Sequence, residues 1–436
     1  MQKINKKLFE YIENSPSAFH AIDNQVRALE KGGYTRLLES MEWKIIPGGK
    51  YFVTRNDSSI IALRVPEKEY KSFMIMSSHS DSPTFRIKEN PEMVEGGAYV
   101  KLNTEKYGGM LMATWFDRPL SIAGRVIVKE KNGTIAQKLV NLDKDLVMLP
   151  SLAIHMNREA NDGYKYNAQK DMLPLMTMNT DLKLLDLVAS ELKIKKEDII
   201  GQDLFLYNRD KGAVWGAEDE FISIGRLDDL QCAFASLTAF MAAKDNEQAI
   251  TMHCVFDNEE VGSGTKQGAD STFLSDVMAR INEALGYNSS KLISAIASGM
   301  MLSADNAHSA HPNHMDMCDP TNKVFMNKGI VIKFNANQKY TTDGVSYALF
   351  TEICKKAKVP TQVFVNRSDI AGGSTLGNIS TAHVSLNSVD IGLAQLAMHS
   401  SYETAGAKDV EFMVLAATKF FETYIEINGA GNYNIC

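Results

Sequence analysis

The sequence predicts an α/β fold, in which a mixed sheet is sandwiched between helices and a β-rich segment is inserted into the chain. Apolar runs such as AITMHCVF and GMMLSAD alternate with helix-forming segments, which is typical of strands covered on both faces. From about residue 92 to residue 220, short alternating runs with many turn residues replace this pattern. We therefore predict a discontinuous main domain, residues 1–91 and 221–436, and an inserted β-rich domain, residues 92–220.

Local signals place several elements within this plan. Residues 15–31 are predicted to form a helix that begins at a Ser-Pro pair and stops before Gly32 and Gly33. Asp343 is a suitable N-cap for the helix that follows it. In the predicted insert, Asn132 and Gly133 favour a tight hairpin turn, because both residue types accept positive φ angles.

The composition is typical of a soluble globular protein. The 436 residues are 44% hydrophobic and 23% charged. The formal net charge of −7 argues against a nucleic-acid partner, and no apolar run is long enough for a membrane helix. The five cysteines lack the spacing of metal ligands, which favours reduced thiols, and the amino terminus lacks the pattern of a signal peptide. We therefore expect a cytoplasmic protein without nucleic-acid or membrane partners.

The first candidate site follows the apolar run in KSFMIMSSHSDSP, where His79 and Asp81 lie two residues apart. Side chains with this spacing point to the same side of an extended segment. Asp81 can therefore orient a metal-bound histidine through the second ring nitrogen. The alternative is a histidine hydrogen-bonded in a turn, with Asp81 starting an Asx turn before Pro83. For this motif alone, the alternative is favoured.

Carboxylates stand at the ends of other predicted elements. FDNEEVGSG contains Glu259 and Glu260, and adjacent acids usually lie on a solvated turn. After a buried strand, however, one can serve as metal ligand and the other as general base. Asp305 follows another apolar run, and Asp228 opens a helix. The ends of strands in α/β sheets are where ligand sites form.

Histidines are less informative by themselves. The segment SADNAHSAHPNH carries His308, His311 and His314, but their spacing does not match the helical pairs of known zinc sites, and the proline among them discourages a helix. We favour only Asp305 in this segment as a ligand. We expect the histidines to contact the metal-binding residues, the substrate or a neighbouring subunit. His399 lies in an apolar, helix-like stretch, where a lone histidine is usually structural.

Five motifs, in this order along the chain, resemble the aspartyl aminopeptidase and vacuolar aminopeptidase family of dinuclear zinc aminopeptidases: SSHSDSP, GRLDDL, FDNEEVGSG, SADNAHSAHPN and AMHSSYETAG. The resemblance extends over nearly the whole chain. It implies a zinc-exopeptidase-like α/β fold with a catalytic main domain. It also implies an enzyme that removes N-terminal residues, including Asp or Glu, by metal-activated water.

The resemblance implies a set of metal ligands, and every position is filled by the expected residue type: His79, Asp228, Glu260, Asp305 and His399. Asp228 is expected to bridge two ions, with one histidine on each. Glu259 is the implied general base, and Asp81 the orienting acid beside the metal histidine. Mixed imidazole and carboxylate ligands suit two Zn²⁺ ions per subunit, and Co²⁺ or Mn²⁺ would also fit.

The resemblance further implies peptide substrates with a free N-terminus and assembly into a tetrahedral homododecamer, with the insert as dimerisation domain. LAIHMNREAN resembles the family segment whose histidine reaches a neighbouring subunit's active site. His155 is therefore expected to contact substrate in trans. The alternative is a loop histidine at an ordinary interface.

Two segments resemble parts of the substrate site. GIVIKFNANQKY resembles a strand that carries a lysine near the substrate side chain, which implies Lys333, with Tyr340 nearby. An ammonium facing the pocket would pair with an acidic side chain, whereas the alternative is a solvated lysine on an edge strand. DIAGGSTLGN resembles a glycine-rich substrate loop, in which Gly373 and Ser374 offer contacts. It departs from commoner relatives before Gly373 and at Asn378.

Two other functions stay open at this point. Related dinuclear folds include metallo-amidases, which would not require a free α-amine. A large hollow assembly can also serve as a scaffold or cargo receptor, although a protein with that sole role would be expected to lose ligands or the base.

Overall fold

The computed structural model describes residues 3–436. The α-helices are α1 (Lys3–Glu13), α2 (Ala18–Lys31), α3 (Ala168–Asp171), α4 (Leu184–Leu192), α5 (Leu227–Ala242), α6 (Phe273–Ala284), α7 (Ser289–Ala297), α8 (Gly344–Ala357), α9 (Leu376–His383) and α10 (Asp409–Phe421).

The strands up to the start of α5 are β1 (Thr35–Leu37), β2 (Lys50–Arg55), β3 (Ser59–Arg64), β4 (Ser72–His79), β5 (Thr84–Glu95), β6 (Tyr99–Tyr107), β7 (Leu120–Lys129), β8 (Ile135–Asn141), β9 (Leu175–Thr177), β10 (Ile199–Asn208), β11 (Ala213–Trp215) and β12 (Phe221–Ile224). The later strands are β13 (Ala249–Phe256), β14 (Met300–Ala304), β15 (Ala307–His308), β16 (Ile330–Phe334), β17 (Thr361–Val365), β18 (Asn387–Gly392), β19 (Ala394–Leu396), β20 (Glu403–Gly406), β21 (Ile425–Ile427) and β22 (Tyr433–Ile435).

The main sheet has nine strands in the order β1-β2-β3-β13-β4-β14-β18-β16-β17. Its central strands β13, β4, β14 and β18 run parallel. On either side, β3 pairs antiparallel with β13, and β16 pairs antiparallel with β18. The sheet is therefore mixed, and the predicted α/β fold is confirmed.

Helices cover both faces of the main sheet. Because successive side chains of a strand point to opposite faces, a central strand such as β4 contributes to two separate cores. In β4, Met74 and Met76 belong to a core that includes side chains of α1, α2, α5, α8 and α10. Phe73 and Ile75 belong to a second core, with side chains of α6, α7 and α9. This alternation explains why the strand is apolar at every one of these positions.

The parallel centre of the sheet places three strand ends side by side. His79 is the last residue of β4 and pairs in register with Phe256 of β13. Asp257 directly follows β13, and Asp305 directly follows β14, the other neighbour of β4. The polar residues that end these apolar runs therefore meet at one edge, where α/β sheets bind ligands.

A separate six-stranded sheet has the order β8-β7-β10-β5-β6-β9, and all of its strands except the first part of β5 lie in the predicted insert. Its core includes Leu184 and Val188 of α4. Strands β7 and β8 pair antiparallel on either side of residues 130–134, so the predicted hairpin is confirmed. The expected boundary at residue 92 falls inside β5, which begins at Thr84. The division into two domains stays a prediction.

A third sheet has five strands in the order β11-β12-β20-β19-β15. Strand β12 leads into α5, and β19 and β20 flank residues 397–402. Asp343 caps α8 by accepting a hydrogen bond from the Ser346 N–H at 2.8 Å, as predicted. Helix α2 ends before Gly32 as predicted but begins at Ala18, after the Ser-Pro pair. Among residues 3–436, no helix combines the length and apolar character needed to cross a membrane.

Candidate metal centre

His79 lies at the end of β4 with only 1% of its surface exposed. Its Nδ1 is 3.0 Å from the backbone oxygen of Asp81 and 3.3 Å from Asp81 Oδ1. Its Nε2 is 3.6 Å from Asp228 Oδ1. The contacts with Asp81 hold one ring nitrogen and leave the other facing Asp228, which is the arrangement of a metal-binding imidazole oriented by its neighbours.

Asp228 lies between two histidines at the start of α5. Its backbone is non-helical (φ −82°, ψ 108°) although it belongs to the first turn. Oδ1 faces His79, and Oδ2 is 3.4 Å from His399 Nε2. The residue is 2% exposed. Each carboxylate oxygen of Asp228 is thus directed at a different histidine.

Glu259 and Glu260 lie in a single 3₁₀ turn, Glu259–Val261, that follows β13. The backbone N–H groups of both residues donate to the Asp81 carboxylate, at 3.1 and 3.2 Å. Glu260 Oε2 is 3.5 Å from His399 Nε2. Asp81 therefore contacts His79 on one side and holds the turn of the two glutamates on the other.

His399 lies in a loop between β19 and β20, so the helix-like stretch expected around it was wrong. These two strands pair antiparallel, and the His399 φ angle of 66° is left-handed, which a helix does not allow. The backbone N–H of His399 donates to Glu403 Oε1 at 2.7 Å. The loop between β19 and β20, held by this hydrogen bond, brings the imidazole of His399 close to Asp228.

Two groups of three possible ligand residues share Asp228. One group adds His79 and Asp305, and the other adds Glu260 and His399, with ligand atoms inside each group no more than 4.8 Å apart. All five residues predicted as ligands are therefore brought together, although they come from distant parts of the chain. Asp228 is the member common to both groups.

The glutamates are less acidic than usual in this environment. Burial raises the pKa of Glu259 to about 8, and Asp305 adds to the rise. Burial also raises the pKa of Glu260 well above its ordinary value, and the nearby Asp228 charge adds to it. These carboxylates repel one another, so their ionised forms require positive charge between them.

Asp228 and the histidines shift in the opposite sense. Burial alone would raise the pKa of Asp228, but the contacts with His399 and His79 hold it below its usual range. Burial would lower the pKa of His79, but Asp228 and Asp81 raise it well above its ordinary value. The pKa of His399 is raised against burial by Asp228. Asp228 and the two imidazoles thus favour one another's charged forms.

The donor set fits divalent metal ions. Imidazole nitrogens and carboxylate oxygens are usual ligands of Zn²⁺. Within residues 3–436, Asp228 Oδ1 and Glu260 Oε1 are buried and accept no hydrogen bond, and buried polar atoms without partners are unfavourable. Cations held between the two ligand groups would satisfy both oxygens and reduce the repulsion among the carboxylates.

Glu403 is a further residue of the site, and its structural role could not be recognised from the sequence. It is 1% exposed and accepts the backbone N–H of Asp228 through Oε2, at 3.0 Å, and that of His399 through Oε1. Burial raises its pKa to about 8. One side chain thus fixes the backbone of two predicted ligands. Its only sequence signal is its position within AMHSSYETAG.

Lys333 is buried beneath Asp305. It lies on β16, between β18 and β17, and is 2% exposed, so the alternative of a solvated edge-strand lysine was wrong. Nζ donates to the Asp305 backbone oxygen at 2.8 Å and lies 3.6 Å from Asp305 Oδ2. The Tyr340 ring centre is 5.2 Å from the same ammonium. Burial would lower the pKa of Lys333, but Asp305 raises it overall, so the side chain stays charged.

Gly373 and Ser374 are exposed, just before α9. The nearby Asp390 is 0% exposed and accepts hydrogen bonds from the hydroxyls of Thr341, at 2.7 Å, and Thr375, at 2.5 Å. Asp390 therefore joins the segment that follows Tyr340 to the segment that follows Ser374. The predicted substrate residues of the two segments are held near each other by a buried acid that no motif indicated.

His155 is exposed, in a turn segment between β8 and α3. Among residues 3–436 it belongs to neither ligand group. The apolar side chains around it are also exposed: Leu152 by 56%, Ile154 by 49% and Met156 by 75%.

The histidines after Asp305 are separate from the ligand groups in the described part of the chain. His308 ends β15, and its ring centre is 6.2 Å from that of Phe364. His311 and His314 are exposed, with ring centres 5.0 Å apart.

A cavity of about 280 Å³ is lined by residues of the six-stranded sheet and by residues close to the candidate metal centre. Asp81 and Asp228 line one part of it, and Arg125 and Phe205 of the inserted sheet line another. Its lining residues within 3–436 do not include the predicted substrate residues, of which Lys333 is one. The cavity therefore differs from the predicted substrate pocket.

Several known proteins are similar to this chain along most of its length. The family described as Aminopeptidase I zinc metalloprotease (M18) matches residues 11–421. A probable M18 family aminopeptidase 2 from Clostridium acetobutylicum is 46% identical over 424 residues, which cover 95% of this chain and 98% of the relative. Aspartyl aminopeptidase 1 of Schizosaccharomyces pombe is 37% identical over 448 residues, which cover 96% of this chain and 94% of the relative. Among solved structures, the S. cerevisiae mApe1 dodecamer is similar, with a TM-score of 0.86, 27% identity and 96% coverage of each chain.

Protons and metal ions should compete for His79 and His399. The pKa of both is raised when no ion is bound, whereas a metal ion needs the neutral ring, so binding releases protons and the affinity falls as the pH falls. We expect zinc-loaded protein to keep its metal during dialysis at pH 8 and to lose it at pH 5, as measured by inductively coupled plasma mass spectrometry. Equal retention at both pH values would contradict this assignment.

Proposed function

The chain belongs to the M18 family of aminopeptidases, which are zinc metalloproteases, and we propose that it removes N-terminal residues, preferentially Asp and Glu, from peptides with a free amino terminus. The observation that carries this proposal is the sharing of Asp228 by two ligand groups, with Glu259 directly beside the ligand Glu260. The similar aspartyl aminopeptidase of Schizosaccharomyces pombe supports the acidic preference.

We propose two divalent ions per subunit, Zn²⁺ in the first place, with Co²⁺ or Mn²⁺ as compatible replacements. His79 and Asp305 would hold one ion, Glu260 and His399 the other, and Asp228 would contact both. Ions bound in this way supply a Lewis acid for the scissile carbonyl and make water more acidic.

Glu259 is the proposed general base. It lies in the turn beside Glu260. A third group of possible ligand residues places a Glu259 carboxylate oxygen within 4.8 Å of a ring nitrogen of His79 and a carboxylate oxygen of Glu260. A carboxylate whose pKa is raised by burial can accept a proton from the attacking water and return it to the leaving amine. Asp81 keeps the carboxylate in place by holding the backbone of the turn.

Lys333 and Tyr340 are the proposed determinants of substrate preference, with Gly373 and Ser374 as backbone and hydroxyl contacts. Lys333 is charged and buried next to Asp305. An acidic substrate side chain placed near its ammonium group would form a charge-assisted hydrogen bond with it. Asp390 connects the two segments that carry the other three residues.

We also propose that the chain assembles into a tetrahedral homododecamer in the cytoplasm and that His155 completes a neighbouring subunit's active site. The solved structure of a similar protein is a dodecamer. The exposed apolar side chains beside His155, such as Met156, would be covered in an assembly, which supports an interface at this segment.

Replacing Glu259 by Gln should separate catalysis from metal binding. The amide cannot accept the proton, so we expect kcat to fall by about 10²- to 10⁴-fold, with the metal content of the parent protein. Glu260→Gln is the matched neighbour and should lose metal instead. Steady-state kinetics and metal analysis measure both; full activity of Glu259→Gln would refute its role.

A panel of unblocked aminoacyl substrates should show the substrate preference. We expect Asp and Glu to be cleaved faster than Leu or Met, and N-acetylated versions not to be cleaved. Lys333→Met should reduce the ratio of Asp to Leu cleavage roughly 30-fold or more, because the acidic side chain loses its partner. The exposed Lys328, just before β16, provides the control Lys328→Met.

Faster cleavage of the Leu substrate than of the Asp and Glu substrates would show that Lys333 does not determine the preference. An unchanged ratio of Asp to Leu cleavage in Lys333→Met would show the same. Cleavage of N-acetylated substrates would favour the amidase alternative.

Co-assembly should test whether His155 acts in trans. His155→Ala and Glu259→Gln are each expected to be nearly inactive alone. In mixed assemblies, an intact Glu259 site can meet an intact His155 from its neighbour, so activity should return. A mixture of Glu259→Gln and Glu260→Gln should not recover, because both lesions affect the same site. A different affinity tag on each variant allows mixed particles to be isolated by two successive purifications, and absence of recovery in these particles would exclude the trans role.

A further inference from the structure

The segment of residues 107–114, which leads out of strand β6 of the six-stranded sheet, reaches the candidate metal centre within the same chain. It begins at Tyr107, the last residue of β6, and precedes β7. Tyr107 is paired with Thr84, the first residue of β5. Because β5 begins shortly after Asp81, strand pairing places the Tyr107 side chain beside the Asp81 carboxylate.

The Tyr107 hydroxyl forms two hydrogen bonds at this place. It donates to Asp81 Oδ2 at 2.7 Å and accepts from Asn258 Nδ2 at 2.8 Å. Burial, with the Asp81 charge next in size, raises the pKa of Tyr107 far above its ordinary value, so the phenol keeps its proton. The Asp81 carboxylate thus accepts from the phenol and from the backbone N–H groups of Glu259 and Glu260.

The same segment contacts the site at two further points. A Cβ atom at Gly108 would lie 3.1 Å from the Cβ of Glu260, so the absence of a side chain lets the backbone pass close to this ligand. The Leu111 N–H donates to the His399 carbonyl at 3.0 Å, and Thr114 Oγ1 accepts from the Ser401 N–H at 2.9 Å. Residues 107–114 therefore touch both the glutamate turn and the histidine loop.

From these contacts we propose that Tyr107 is a positioning residue of the active site. Its hydroxyl holds the Asp81 carboxylate, and through Asp81 it holds the turn that carries Glu259 and Glu260. The catalytic consequence rests on the proposed function, whereas the positioning itself does not. The inserted sheet would then take part in the active site of its own chain, independently of any contact between subunits.

Hydrogen exchange tests the positioning without any need for activity. Tyr107→Phe removes only the hydroxyl, so the Asp81 carboxylate loses a donor and holds the two backbone N–H groups less firmly. In the metal-free protein, we expect faster deuterium uptake in the peptide that covers residues 257–262 and unchanged uptake in a peptide from β13. Tyr99→Phe, on the same strand at a residue 47% exposed, is the control and should change neither. Unchanged uptake in Tyr107→Phe would overturn the proposal.

Kinetics of the zinc-loaded variants test the catalytic consequence. We expect Tyr107→Phe to lower kcat by about 10- to 100-fold, with KM within about twofold and the metal content and assembly size of the parent. A kcat within about twofold of the parent, or a loss of activity that matches a loss of metal, would overturn it. If the parent chain cleaves no peptide, the proposed function fails, and the exchange measurement alone decides the role of Tyr107.

Discussion

The arrangement of this protein depends on one electrostatic constraint: carboxylates that repel one another are buried together at the end of a sheet. Asp228 is 2% exposed and Glu403 only 1%, and the pKa of Glu403 is raised to about 8 by burial. Lys333 supplies one buried positive charge, next to Asp305. The other carboxylates need protons or cations. Divalent ions between the two proposed ligand groups would supply that charge and would explain why the acids are placed here.

The fold meets this constraint by combining rigid and irregular backbone. Parallel strands bring His79 and Asp305 to one edge, because they end neighbouring strands. The remaining predicted ligands come from a helix start, a 3₁₀ turn and a loop, where the backbone can direct side chains to positions that regular structure does not reach. Buried acids then fix these irregular segments: Asp81 holds the turn of Glu259, and Glu403 holds the backbone of Asp228 and His399.

Features of the fold and of the site that depend on local pattern can be predicted from the sequence. Apolar runs that end in polar residues predict the α/β fold and the strand-end site, and motif resemblance indicates the ligand types. The loop conformation of His399 was not predictable, because the pairing of β19 with β20 overrides an apolar stretch that favours helix. Tyr107 and Glu403 were missed for a related reason: their contacts join segments far apart in the chain, which no local spacing reveals.

The most direct test of the central claim is to count and locate the ions by anomalous X-ray diffraction from crystals of the zinc-loaded chain, collected on both sides of the zinc absorption edge. The account predicts two anomalous peaks per subunit with the Asp228 carboxylate between them, one next to His79 and Asp305, the other next to Glu260 and His399. A single peak, or peaks away from Asp228, would contradict the proposal that this carboxylate joins two metal sites.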